Sequence, residues 1–190
     1  MTYLLGGRIR LRAAERSDIP LFVKWINDPE VTENVMLQVP MSVAEEERWF
    51  DSMLEQPQAQ HVYVIGVKLP STGKEDVDGW QSIGTIQFHD ISWLLRKAEI
   101  GIMIGEKDFW DKGYGTEAML VMLKHGFETL NLHRIGLQVF DKNKRGIRAY
   151  EKAGFVQEGR FRDGHYQHGR YYDIIIMSIL KTDWELRINA

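Results

Sequence analysis

The 190-residue chain contains no cysteine. Disulfides, thiolate metal sites and cysteine nucleophiles are excluded on that ground, and the absence is compatible with the cytoplasmic location expected here. Long apolar runs are also missing: no stretch approaches the length needed to cross a bilayer. Met1–Gly7 has no charged segment leading into an apolar one, so no signal peptide is expected. There is no excess of positive charge. Lys and Arg number 24 against 27 Asp and Glu, with the signs mixed along the chain, whereas a nucleic-acid binder concentrates basic residues on one face. No repeat, low-complexity tract or linker interrupts the sequence, and residues 1–190 are expected to form one domain. Apolar residues at 44% suffice for a substantial core, and charged residues at 27% sit near the globular norm.

Periodicity divides the chain into short elements. Ile9–Arg12 reads as a strand, and Asp18 as the N-cap of an amphipathic helix through Leu21, Phe22 and Trp25 that ends near Asp28-Pro29. Ser42 with Glu45 three residues later forms a capping box for a helix carrying Trp49, Phe50 and Met53. Val62–Lys68 and Gln81–His89 are β-branched and aromatic, with Pro70–Gly79 between them as a hairpin loop. Glu99–Ile104 alternates Ile100, Ile102 and Ile104 against Glu99, Gly101 and Met103. A helix is expected over Gly115–Leu130, a strand over Arg134–Phe140, a helix over Arg145–Lys152 stopped by Gly154, and a strand over Phe155–Arg162. The nearly all-apolar Asp173–Leu180 suits a strand buried on both faces. The order predicts a mixed α/β fold with one sheet and helices on both sides.

The chemistry is concentrated in Glu99–Phe155. Asp111-Lys112-Gly113-Tyr114-Gly115-Thr116 opens a helix, and glycines at this spacing let backbone N–H groups turn toward one point. With the free N–H groups and dipole of the following helix, they make an anion site suited to a pyrophosphate. A plain glycine turn before a helix has the same pattern. The Walker motif fails, because no Lys-Ser/Thr pair follows the second glycine. Gly113, Gly115 and Ala118 satisfy a dinucleotide-type G-x-G-x-x-A. However, that fingerprint needs its first glycine directly after the strand, and Gly105–Lys112 intervene here.

Glu99-Ile-Gly-Ile-Met-Ile-Gly105, Trp110-Asp-Lys-Gly-Tyr-Gly-Thr-Glu-Ala118, Asn131-Leu-His-Arg-Ile135, Asn143 and Tyr150-Glu-Lys-Ala-Gly-Phe155 together resemble the GCN5-related N-acetyltransferases. The branch they resemble contains the RimJ/RimL ribosomal-protein N-terminal acetyltransferases and the spermidine acetyltransferases. The resemblance extends to Asn27–Val31 and Gly169–Asp173, so it covers most of the chain. It implies a mostly antiparallel central sheet flanked by helices on both faces, acetyl-coenzyme A as co-substrate and no metal. It implies also an amine acceptor, with a homodimer as a family-level expectation.

The resemblance further implies that Gly101, Ile102, Met103 and Ile104 run beside the pantetheine arm like an added strand. The phosphates would be held by the backbone of Lys112, Gly113, Tyr114, Gly115 and Thr116. The family loop usually begins with Gln or Arg, where this chain has Trp110, a residue frequent in this branch; Trp110 is alternatively core packing. Lys112, Lys144, Arg145 and Arg148 could meet the cofactor phosphates or simply form a solvated face. Asn143 is implied to contact the cofactor, and as a turn residue it would also precede a helix. Tyr150 matches the tyrosine that protonates the leaving thiolate: a phenol near pKa 10 suits a thiol near 8.5. Packing on the core is its other reading. The backbone N–H of Met103 is implied to stabilise the oxyanion. Glu99 is the candidate general base acting through water, or else a salt-bridged strand end.

The amine must be neutral to attack the thioester. At pH 7 this costs roughly 4–5 kcal/mol for a lysine or polyamine amine, but only about 1–1.5 kcal/mol for a protein α-amine. A protein or peptide N-terminal α-amine is therefore the first expectation for the acceptor. A polyamine, aminoglycoside or amino sugar is the second. A non-catalytic acyl-coenzyme A sensor is the rival of another class. The acceptor is expected against Trp25–Val39 and a final hairpin loop over Arg162–Tyr172. His165 and His168 are read as residues of that loop, and His125 and His133 as structural. No Gly-x-Ser-x-Gly elbow supports a covalent nucleophile.

Overall fold

A computed structural model describes residues 3–36, 40–68 and 79–189. The expected Pro70–Gly79 hairpin loop therefore falls almost wholly outside the described residues. Eight strands form one sheet in the order β1-β2-β3-β4-β5-β6-β8-β7. Along the chain the elements are β1 (Leu4–Leu5), β2 (Ile9–Ala13), α1 (Ile19–Ile26), α2 (Pro29–Thr32), α3 (Val43–Leu54), β3 (Tyr63–Lys68), β4 (Trp80–Ser92) and β5 (Lys97–Ile104). Then follow α4 (Tyr114–Lys124), β6 (Arg134–Phe140), α5 (Lys144–Ala153), β7 (Val156–Gln167), β8 (Arg170–Leu180) and α6 (Lys181–Ile188). Every neighbouring pair is antiparallel except β5 with β6.

Both faces of the sheet are covered, because successive side chains of a strand point to opposite sides. On β3, Ile65 and Val67 join a core built with Met119, Met122 and Leu123 of α4 and Trp184 of α6. Val64, one position before Ile65 and so on the opposite face, joins a second core with Phe22 and Trp25 of α1 and Phe50 and Met53 of α3. Ile100, Ile175, Met177 and Ile179 are all buried in the first core, as their unbroken apolar runs require.

The expected elements form, with shifts that have local causes. Asp18 does not cap α1 with its side chain; its carboxylate is taken by Arg12, at 2.7 and 2.6 Å. The capping box of α3 forms as read, with Ser42 and Glu45 serving each other's backbone. The helix expected through Leu130 ends at Lys124 and continues as a π-type turn, His125–Thr129. A side chain at Gly126 in that turn would press on Ile135 and Phe88. The broad final loop is absent. β7 and β8 run on to Gln167 and Arg170, and only His168 (φ 51°) and Gly169 (φ 78°) turn between them, the left-handed pair a two-residue hairpin needs. His165 is thus a strand residue, stacked on Phe140 at 4.3 Å.

Candidate active site

The parallel pair β5–β6 is short. Its ladder joins Lys97 to Arg134, Ala98 to Ile135 and Glu99 to Gly136, and there it stops. β6 continues to Phe140 paired only with β8. From Ile100 to Ile104 the β5 edge facing β6 has no strand partner among the described residues, so backbone donors and acceptors are open to a ligand. Two cavities occupy the opening, one of about 200 Å³ and one of about 490 Å³. They share Asn34, Val35, Ile102, Met103, Asn143 and Tyr150.

The smaller cavity is floored by the loop leading into α4. A bulge in β4 starts the turn: the β3 register skips Ile83, whose carbonyl accepts from Gly105 N and Glu106 N at 2.9 and 3.1 Å. Trp110 then donates its indole N–H to the Ile104 carbonyl at 2.8 Å, fastening the loop to the end of β5. Asp111 (φ 56°) and Gly113 (φ 83°) reverse the chain. The helical ladder begins with Glu117 N on the Gly113 carbonyl, which leaves the N–H groups of Tyr114, Gly115 and Thr116 unpaired within the helix, where they form the positive end of its dipole. Gly113, Tyr114, Gly115 and Thr116 all line this cavity, with Arg145, Arg148 and Lys152 from α5. The Arg145 guanidinium lies 3.8 Å over the Trp110 ring, so Trp110 both packs and carries a cation. Backbone amides ringed by cations fit a diphosphate.

Of the residues expected to meet the phosphates, Lys144 does not line this cavity, and neither does Lys112. The Lys112 side chain leans on Phe109. Its carbonyl accepts from Arg8 at 3.2 Å. Arg8 also pairs with Glu117 at 2.8 Å and lies 4.6 Å over the Tyr114 ring. This brace across the loop was not legible, because Arg8 and Glu117 are 109 positions apart.

The larger cavity lies against the opposite sheet face. Thr85, Gln87 and His89 of β4 pair with Met103, Gly101 and Glu99 of β5, and all six line it. The Glu99 carboxylate has no hydrogen-bond partner among the described residues. Burial raises its pKa, with His89 and Arg134 pulling it back. His89 donates from Nδ1 to Asp90 Oδ2 at 2.9 Å, and its ring lies 3.8 Å from where a Cβ on Gly101 would stand. Sequence reading passed over His89; its in-phase position opposite Glu99 was the available signal. Tyr150 borders both cavities and packs on Phe155. Although it keeps some surface, burial pushes its phenol up to about 12, Arg145 opposing. The close match to a thiol therefore does not hold, and the phenol remains a hydrogen-bond donor throughout the physiological range. Asn143 caps α5, its Oδ1 accepting from Gly146 N at 2.9 Å, while bordering both cavities. No trio of potential metal ligands occurs among the described residues.

Above the opening, Asn34, Val35 and Met36 supply the wall expected from Trp25–Val39, of which 37–39 lie outside the described residues. Lys142 holds this segment by donating to Glu33 at 2.6 Å, and Lys107 holds its start through Asp28 at 2.8 Å.

The sequence signature of the acetyltransferase (GNAT) domain matches residues 8–156. A candidate ribosomal N-acetyltransferase of Bacillus subtilis (strain 168), YdaF, is 37% identical over 102 residues, 54% of this chain and 55% of that protein; the chain thus spans little more than half of that relative. The spermidine N(1)-acetyltransferase of Vibrio cholerae is 27% identical over 95% of this chain and 97% of that protein. The crystal structure of spermidine N-acetyltransferase from Vibrio cholerae in complex with CoA and spermine superposes with a TM-score of 0.81 at 27% identity, covering 94% of this chain and 98% of that one. The fold and the signature together are those of the acetyl-coenzyme A-dependent acyltransferases. The chain belongs to the acetyltransferase (GNAT) family.

Proposed function

We propose that this protein transfers the acetyl group of acetyl-coenzyme A directly to a primary amine, with the strand edge Ile102–Ile104 receiving the pantetheine arm. The observation that carries the reading is the parting of β5 from β6 after Glu99, where two cavities meet at Met103 and Tyr150. The amides of Gly113 to Thr116 take the phosphates, with Arg148 and Arg145 beside them and Asn143 at the α5 cap. Glu99, raised in pKa, accepts the amine proton. The amine nitrogen then bonds to the acetyl carbon and the carbon–sulfur bond breaks. Met103 turns its N–H toward Thr85 of β4, so an N–H on the open edge of Ile102 or Ile104 steadies the developing oxyanion. Tyr150 donates to the departing sulfur, which ends as the thiol of coenzyme A, and the second proton of the nitrogen restores the phenol.

For the acceptor, the lower cost of neutralising an α-amine favours a protein or peptide N-terminus. A small cationic amine is favoured by a different observation: among the described residues the larger cavity is lined by two glutamates and by neither lysine nor arginine. The test is coenzyme A release across a panel of amines and N-terminal peptides, with mass spectrometry of the products. Release coupled to an acetylated amine supports transfer. Tight acetyl-coenzyme A binding without release for any acceptor supports a sensor instead.

A further inference from the structure

Acetyl transfer through Glu99 and Tyr150 leaves one buried acid of the larger cavity unused. Three glutamates follow one another on α3. Glu45 closes the capping box, receiving Ser42 N at 2.8 Å, and Glu47 is exposed. Glu46 falls in phase with Phe50 and Met53 and turns inward, 2% exposed, onto the cavity. The other buried acid, Asp18, is satisfied by Arg12. The Glu46 carboxylate has no hydrogen bond or ion pair among the described residues, and burial pushes its pKa up to about 7. A buried carboxylate without a partner is unfavourable, and the missing partner is a cation. The remaining titratable groups of the cavity are Glu99, His89 and Tyr150, none of which supplies a fixed positive charge. Trp49 and Phe22 beside Glu46 add aromatic surface, which favours an ammonium group.

Glu46 enters from the helix layer and Glu99 from the sheet, so the space between them offers two separate acids. We propose that Glu46 is a cation anchor that selects acceptors carrying a second ammonium group, holding that group while the other amine faces Glu99. The inference rests on the amine-acetylation reading above and adds the class of acceptor.

The test compares cadaverine and putrescine with pentylamine and butylamine, which match them in length but carry one amine. In the wild-type protein kcat/KM favours the diamine. In Glu46→Gln that preference falls roughly tenfold to a hundredfold, through KM and not kcat, as expected for a lost charge-assisted hydrogen bond. Glu46→Leu, which suits the surrounding apolar stripe, gives the same loss, and Glu46→Asp restores part of the preference. Equal losses for diamine and monoamine, or an unaltered preference, overturn the anchor. Should the wild-type protein acetylate none of the four, the transfer reading is decided by the N-terminal peptides of the panel above. Calorimetric titration with cadaverine then decides the anchor: binding that disappears in Glu46→Gln supports it, and equal or absent binding overturns it.

Discussion

The carboxylate of Glu99 lies against the backbone of Gly136, so closely that a Cβ there would stand 2.6 Å from Oε1. The two residues form the last rung between β5 and β6, and the glutamate is thereby placed where the strands part. Gly136→Ala should displace the carboxylate and leave the phosphate loop alone. The expected outcome is a fall of about tenfold or more in kcat with the KM for acetyl-coenzyme A little altered. Steady-state kinetics check this, alongside a melting curve showing that the variant is folded.

Glu99 acts as a base only when ionised. Burial, opposed by His89 and Arg134, raises its pKa, so the acid limb of kcat/KM should lie above the ordinary carboxylate range and activity should rise with pH through it. Glu99→Gln should abolish that limb and lower the plateau about a hundredfold. A pH–rate profile of both proteins is the measurement, and an acid limb that survives in the variant contradicts the assignment.

Tyr150 is held protonated, with its phenol pushed up to about 12. Between pH 7 and about pH 10 the rate should show no descending limb from this group. Tyr150→Phe should reduce kcat by about a hundredfold with acetyl-coenzyme A affinity nearly unchanged. Pre-steady-state kinetics with equilibrium binding separate the two effects.

The elements that frame the candidate site were readable from sequence, and most of the unread part has one cause. The isoleucine alternation placed β5, the Ser42–Glu45 box placed α3, and the paired glycines placed the start of α4; each signal spans only a few neighbouring residues. Glu46, His89 and Arg8 escaped notice because each acts across distance in the chain. Which of three adjacent glutamates turns inward was nonetheless encoded, since Glu46, Phe50 and Met53 share a helical face. The inward turn of Glu99 became specific only once Gly136 was found beneath it. Lys112, read as a phosphate contact through its backbone or its side chain, instead rests its side chain on Phe109 and offers its carbonyl to Arg8.

Glu46 also links the site to stability. Its folded pKa is raised from 4.5 to about 7 by burial, so between those values the folded state binds more protons than the unfolded one. Stability of the wild-type protein should therefore fall as pH rises through this window. Glu46→Gln escapes the penalty: it should be more stable than wild type at pH 8, by on the order of 3 kcal/mol, with the difference vanishing toward pH 4.5. Urea denaturation at the two pH values measures it.

The account depends above all on the amides at the start of α4 gripping the phosphates of acetyl-coenzyme A. Gly115 offers a clean perturbation, because a Cβ there meets only Ile104 and Ile102, at 3.9 and 4.0 Å, and aspartate is favourable in the first turn of a helix. Calorimetric titration of acetyl-coenzyme A should give saturable one-to-one binding to the wild-type protein and a loss of at least about tenfold in affinity in an equally stable Gly115→Asp. Undiminished binding by that variant, or no binding by the wild-type protein, would contradict it.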